Sequence, residues 1–251
     1  MNKPLFYALD FDGVICDSAV ETAITGWKAA TAIWHDMPKA IPELQVDRFR
    51  LVRPIIETGY EAILAMRLLY LGQTVEAIYE DYGNKTQALL ENANITVDGL
   101  KKLFGETRDV WIANDLADWV DKNPLFPGVA LKLQQLGQLC PWAVVTTKQE
   151  RFVKQILRAN GIALGDDRIF GLDRNMTKVA VLTQLKSQHP TETICFIEDR
   201  LPTLLNVQKY DALADIKLFF ALWGYNTAED KAYAAKETSF TSLQLNDFLA
   251  F

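Results

Sequence analysis

At 251 residues the chain is long enough for one large domain or two modest ones. Hydrophobic residues make up 49% and charged residues 23%, enough for a sizeable core, and no apolar stretch approaches the roughly 20 residues of a membrane span. A net charge of -6 without a block of Lys or Arg argues against a nucleic-acid partner. Three cysteines, Cys16, Cys140 and Cys195, lack pairing or metal-ligand spacing and fit a reducing cytoplasm.

The N-terminus does not read as a signal peptide, because a strand and acids follow Lys3 at once. Residues Leu5 to Ile15 form an apolar, strand-forming run that ends in Asp10 and Asp12, followed by Gly13. A buried strand that carries two acids to its tip is costly unless the acids hold a cation or do chemistry. Gly13 lets the backbone turn sharply just beyond them. From about Val20 to Val120 the pattern is helical. Thr58–Leu71 and a Thr74-capped segment with Val75, Ile78, Tyr82 and Leu89 inward read as helices, as does Asp109–Val120. Arg53, Glu57, Tyr60 and Glu61 form a polar cluster, and Trp27, Trp34, Trp111 and Trp119 suit core packing better than ligand stacking. His35 falls in a loop and His189 at a helix end, which gives a histidine-based mechanism little to build on.

Past Pro124 strand and helix alternate. Helices are expected at Val129–Leu139, Arg151–Ala159, Lys178–Ser187 and Pro202–Tyr210, with a short one at the C-terminus. Strands are expected at Trp142–Thr146, Arg168–Phe170, Thr193–Ile197 and Ile216–Leu222. Such alternation implies an α/β, Rossmann-like parallel-sheet core. We assign residues 1–14 and 124–251 to that core and residues 15–123 to an inserted all-helical cap domain, which would hang over Asp10 and Asp12.

No Gly-rich fingerprint follows the first strand, so a dinucleotide or P-loop site is excluded. An EF-hand loop fails because Val14 and Ile15 occupy positions that need an oxygen ligand and a glycine. A plain Asp-Gly hairpin turn leaves the second acid unexplained. Ligands of open parallel sheets bind outside the C-terminal strand ends. There the expected strands end in Thr146-Thr147-Lys148 and in Glu198-Asp199-Arg200, and Lys178 begins the helix between them.

In this combination the chain resembles the haloacid dehalogenase superfamily of phosphohydrolases. Asp10-Phe-Asp12-Gly13-Val14 matches its first motif, Thr146 the second, Lys178 the third and Glu198-Asp199 the fourth. Phe126-Pro127-Gly128-Val129 resembles the point where such chains re-enter the core after a helical cap. The resemblance implies a phosphatase that acts on a small phosphorylated metabolite through an aspartyl-phosphate on Asp10, with Asp12 as general acid and base. It implies Mg2+ held by Asp10, the Asp12 carbonyl and Asp199, with Glu198 in a second carboxylate's role, directly or through a metal-bound water, and phosphoryl binding by Thr146 and Lys178, with Gly13 and Thr147 beside them. It also implies that dehalogenases lack an acid at the Asp12 position, so Asp12 points away from carbon–halogen cleavage. One departure is Glu198 next to Asp199, with Thr203 where commoner forms have a second Asp. A phosphosugar mutase and a catalytically impaired binding or regulatory protein remain as alternatives.

Overall fold

Phe6 to Leu9 are all apolar because both faces of the sheet they enter are covered. The computed structural model describes residues 3–250. Its contacts divide the chain into two compact units, Met1–Asp17 with Pro124–Phe251, and Ser18–Asn123.

The first unit opens with β1 (Leu5–Leu9). Seven helices of the second unit follow: α1 (Ala19–Ile33), α2 (Glu43–Val52), α3 (Glu61–Tyr70), α4 (Val75–Glu80), α5 (Tyr82–Ala93), α6 (Val97–Asn114) and α7 (Leu116–Asp121). The chain then returns to the first unit with α8 (Val129–Leu139), β2 (Trp142–Val145), α9 (Glu150–Ala159) and β3 (Ile169–Phe170). It continues through α10 (Lys178–Gln188), β4 (Thr193–Glu198), α11 (Leu201–Val207) and β5 (Lys217–Ala221). It closes with α12 (Ala228–Ala234), β6 (Thr241–Leu243) and α13 (Leu245–Ala250).

The six strands form one parallel sheet in the order β3-β2-β1-β4-β5-β6. β1 therefore lies at the centre, between β2 and β4. Phe6 and Ala8 pack on one face with Val181, Leu182 and Leu185 of α10 and Leu204 of α11. Tyr7 and Leu9, one residue out of phase, are buried on the other face.

In the helical unit, α1 packs on α2, α3 and α6. Trp27, Phe49, Ile63, Leu69, Leu100 and Phe104 lie in its core. Glu21 is fully buried there. Arg108 donates to it from Nε and Nη2 at 2.8 and 2.6 Å, Trp119 Nε1 at 3.2 Å and Thr25 Oγ1 at 2.6 Å. A buried carboxylate is tolerable with that many donors, and the network joins α1, α6 and α7.

Four local differences from the sequence reading have identifiable causes. Residues 15–17 belong to the sheet unit, not to the insertion, because Asp17 N donates to Pro124 O and Phe126 N to Ile15 O. The Asp109–Val120 helix is split, since Asp115 caps a new helix by accepting from Asp118 N at 2.9 Å. The Thr74-capped segment breaks at Asp81, giving α4 and α5. Strand β6 and helix α12 join the C-terminal region, where the sequence pattern predicts one short helix. The four indoles also separate: Trp27, Trp111 and Trp119 are buried, and each donates its Nε1 hydrogen within the helical unit. No helix among the described residues is long and apolar enough to cross a membrane.

Candidate active site

Leu9 is level with Val144 on one side and Ile197 on the other, so three neighbouring strands leave the sheet together. Asp10, Thr146 and Glu198-Asp199 follow directly at that C-terminal edge. Asp10 N donates to Ile197 O at 3.0 Å, and its own Oδ1 accepts from Phe11 N at 2.8 Å. Beyond it, Ile15 N and Cys16 N both donate to Phe11 O, closing a tight loop. Cys16 is completely buried in that loop, which marks it as a packing residue.

Lys178 occupies the first position of α10, after Thr177, which caps the helix by accepting from Ala180 N. A cation at a helix N-terminus opposes the helix dipole, so local helix stability does not explain it. Its partners do. Lys178 Nζ lies 3.0 Å from Asp10 Oδ1 and 2.7 Å from Glu198 Oε2. Burial pulls its pKa down, but Asp10 and Glu198 outweigh that and hold the ammonium well above its ordinary range.

Asp10, Glu198 and Asp199 are all buried, and one carboxylate oxygen from each lies within 4.8 Å of the others. Glu198 Oε1 also accepts from Arg200 N at 3.0 Å. Burial first, and then the charge of Glu198, push Asp10 up to about 7 against the opposing pull of Lys178, while Asp12 adds a smaller upward push. Three converging carboxylates, bridged on one side by a single ammonium, form a hard oxygen donor set. That chemistry fits Mg2+, which takes few carboxylates and keeps several waters. Thr203 sits in the first turn of α11 and supplies no carboxylate, so Glu198 is the second acid that accompanies Asp199.

Asp199 is held from the far side by residues 223–226, which follow β5. Tyr225 N donates to Asp199 Oδ2 at 2.6 Å, and Asn226 Nδ2 donates to Asp199 O and Ala221 O. Tyr225 Oη donates to Asp17 Oδ1, and Trp223 Nε1 to Val14 O, so residues 223–226 strap Asp199 to the loop after β1. Two glycines make room for it. A Cβ on Gly13, where φ is +92°, would fall 2.0 Å from Asp199 Oδ2, and one on Gly224 would fall 2.3 Å from Asp199 Cβ. A Gly two residues past a strand end is a weak sequence signal, and nothing in the sequence ties it to Asp199.

Asp12 lies outside the acidic trio. Its Oδ1 pairs at 2.9 Å with Lys148 Nζ, whose side chain is 1% exposed against 17% for Asp12. Thr146 is buried, and its Oγ1 accepts from Lys148 N at 3.1 Å. That leaves the hydroxyl hydrogen free to point elsewhere. Thr147 is half-buried beside it. Arg53 of the helical unit donates to Ile56 O, and Glu61 accepts from Glu57 N and Thr58 N, so both serve local turns.

A doubly covered parallel sheet with acids at the tip of its central strand defines a Rossmann-like fold with a site at its C-terminal edge. Solved structures identify which one: the chain has the haloacid dehalogenase-like fold. It resembles a protein from Clostridium acetobutylicum described as a predicted phosphatase, at TM-score 0.62 and 16% identity, over 100% of this chain and 98% of that one. It also resembles a haloacid dehalogenase-like family hydrolase from Streptococcus pneumoniae, at TM-score 0.55 and 17% identity over 99% and 97%. A third is Protein Tyrosine Kinase A from Mycobacterium tuberculosis, at TM-score 0.57 and 20% identity over 99% and 97%. No family model matches the sequence, and no curated protein matches it.

Proposed function

We propose that the protein is a magnesium-dependent phosphatase that hydrolyses a small phosphorylated metabolite. The observation that carries this reading is Asp10. It is buried at the tip of the central strand, beside the Lys178 ammonium and the carboxylates of Glu198 and Asp199. An acid with that much negative charge around it does not strengthen the fold, and its position at the strand tip suits a nucleophile.

In this reading Asp10 attacks phosphorus and forms an aspartyl-phosphate, which water then cleaves. Asp12 donates its proton to the leaving oxygen in the first step and takes one from water in the second. Lys178 and Thr146 hold the non-bridging oxygens as negative charge shifts among them, with Gly13 and Thr147 lining the same edge. Asp10, the Asp12 carbonyl, Asp199 and Glu198 would hold Mg2+, which when bound neutralises phosphate charge and keeps Asp10 ionised. The helical unit, inserted between Asp17 and Pro124, is the natural source of substrate selection.

The fold leaves the phosphoryl acceptor to experiment, since one protein that shares it is described as a tyrosine kinase. A panel of phosphorylated sugars, short acids and nucleotides, assayed for phosphate release with and without magnesium, tests the reading. Magnesium-dependent release that Asp10→Asn abolishes supports it. Release unaffected by Asp10→Asn removes the nucleophile, and isomerised product without phosphate release favours a mutase.

A further inference from the structure

The Lys148–Asp12 pair has no part in the acidic trio, yet its ammonium is more enclosed than that of Lys178 at the same sheet edge. Lys148 Nζ sits 2.9 Å from Asp12 Oδ1 with its side chain 1% exposed. Burying an ammonium so fully is expensive, and a fold that needed only a neutral loop could fill the space with an apolar side chain. The backbone of Lys148 is pinned as well: its N–H donates to Thr146 Oγ1 at 3.1 Å, and its carbonyl accepts from Leu172 N at 3.0 Å. The lysine stem runs beside Phe11, with Nζ 5.8 Å from the ring centroid. The ammonium therefore has one place to be, and Asp12 is held against it.

We propose that Lys148 is a positioning residue that fixes the Asp12 carboxyl in the orientation needed to protonate the leaving oxygen. This rests on the functional reading above, in which Asp12 is the general acid. Asp12 is the more exposed member of the pair and directly precedes Gly13, where the backbone turns, and the ion pair with Lys148 narrows its choice of rotamers. The ion pair through Oδ1 leaves Oδ2 as the oxygen that would carry the proton. Lys148 also couples two neighbouring strand ends, since the same residue bonds Thr146 after β2 and Asp12 after β1. Placement of the acid then depends on the Lys148 side chain, while its backbone N–H holds the phosphoryl-binding hydroxyl of Thr146.

The test compares leaving groups. An alkyl phosphate needs its leaving oxygen protonated, whereas p-nitrophenyl phosphate and acetyl phosphate expel a stable anion and need little help. Lys148→Met is expected to lower kcat on the alkyl ester about 100-fold, a typical share for general acid catalysis. It should lower kcat on the activated esters only a few-fold and leave KM nearly unchanged. Lys148→Arg, which keeps the cation, should restore part of the loss on the alkyl ester. Adding Lys148→Met to Asp12→Asn should lower kcat no further than Asp12→Asn alone.

An equal loss on all esters, or a loss that multiplies with that of Asp12→Asn, overturns the assignment and makes Lys148 a substrate contact or a purely structural residue. If the wild-type protein hydrolyses none of the esters in the presence of magnesium, the functional reading itself falls and takes this role with it.

Discussion

Asp10→Asn should stabilise the metal-free protein while it abolishes turnover. Burial and Glu198 raise the Asp10 carboxyl from 3.8 to about 7, and that value already includes the opposing attraction of Lys178. The native state therefore holds this proton more tightly than the unfolded chain does. Stability contributed by the site rises as pH falls through about 7, is complete near the unfolded value of 3.8, and is absent above pH 7. A rise of about three pH units at about 1.4 kcal/mol each makes the ionised carboxylate unfavourable by roughly 4 kcal/mol. Urea unfolding in a chelator at about pH 8.5 should place Asp10→Asn above the wild type, and the gap should close towards about pH 5. Saturating magnesium should raise the wild type strongly and the variant little, since the ion binds the native acid set. A variant less stable than the wild type by the same amount at both pH values would refute the reasoning. It would mean that Asp10 serves the fold through its contact with Phe11 N.

Lys178→Met removes the ammonium that bridges Asp10 and Glu198 and should destabilise the metal-free protein by about 3–5 kcal/mol in urea unfolding. A change below about 1 kcal/mol would show that the bridge is not a buried pair of that kind. Gly224→Ala places a Cβ within 2.3 Å of Asp199 Cβ and should weaken magnesium binding about 10–100-fold by calorimetric titration. Unchanged affinity would separate Asp199 from the metal. Arg108→Met strands the buried carboxylate of Glu21 and should lower stability by about 3–5 kcal/mol, read by urea unfolding. Glu21→Gln in the same background should recover much of that loss, because it removes the stranded charge.

The sheet and its tip were legible because their signals are local. An apolar run that stops at Asp10 marks a covered strand with polar work at its end, and three such ends fall on adjacent strands. Short elements were harder. Strand β6 is only Thr241–Leu243 at the sheet edge, where little burial marks the sequence. Helix α12 did carry a signal, the capping box of Thr227 and Asp230, and Asp115 likewise announced the start of α7. Lys148 and the strap of residues 223–226 were not legible. A lysine after two threonines has no diagnostic spacing, and the bond between Tyr225 N and Asp199 exists only once β4 and β5 lie side by side.

Chemical trapping of the intermediate tests the central claim most directly. Turnover of acetyl phosphate or p-nitrophenyl phosphate in magnesium is quenched with acid, reduced with borohydride and mapped by mass spectrometry. A reduced acyl-phosphate is expected at Asp10, present only with magnesium and absent in Asp10→Asn. Sustained hydrolysis with no modification at Asp10, or with the adduct on another carboxylate, would contradict it.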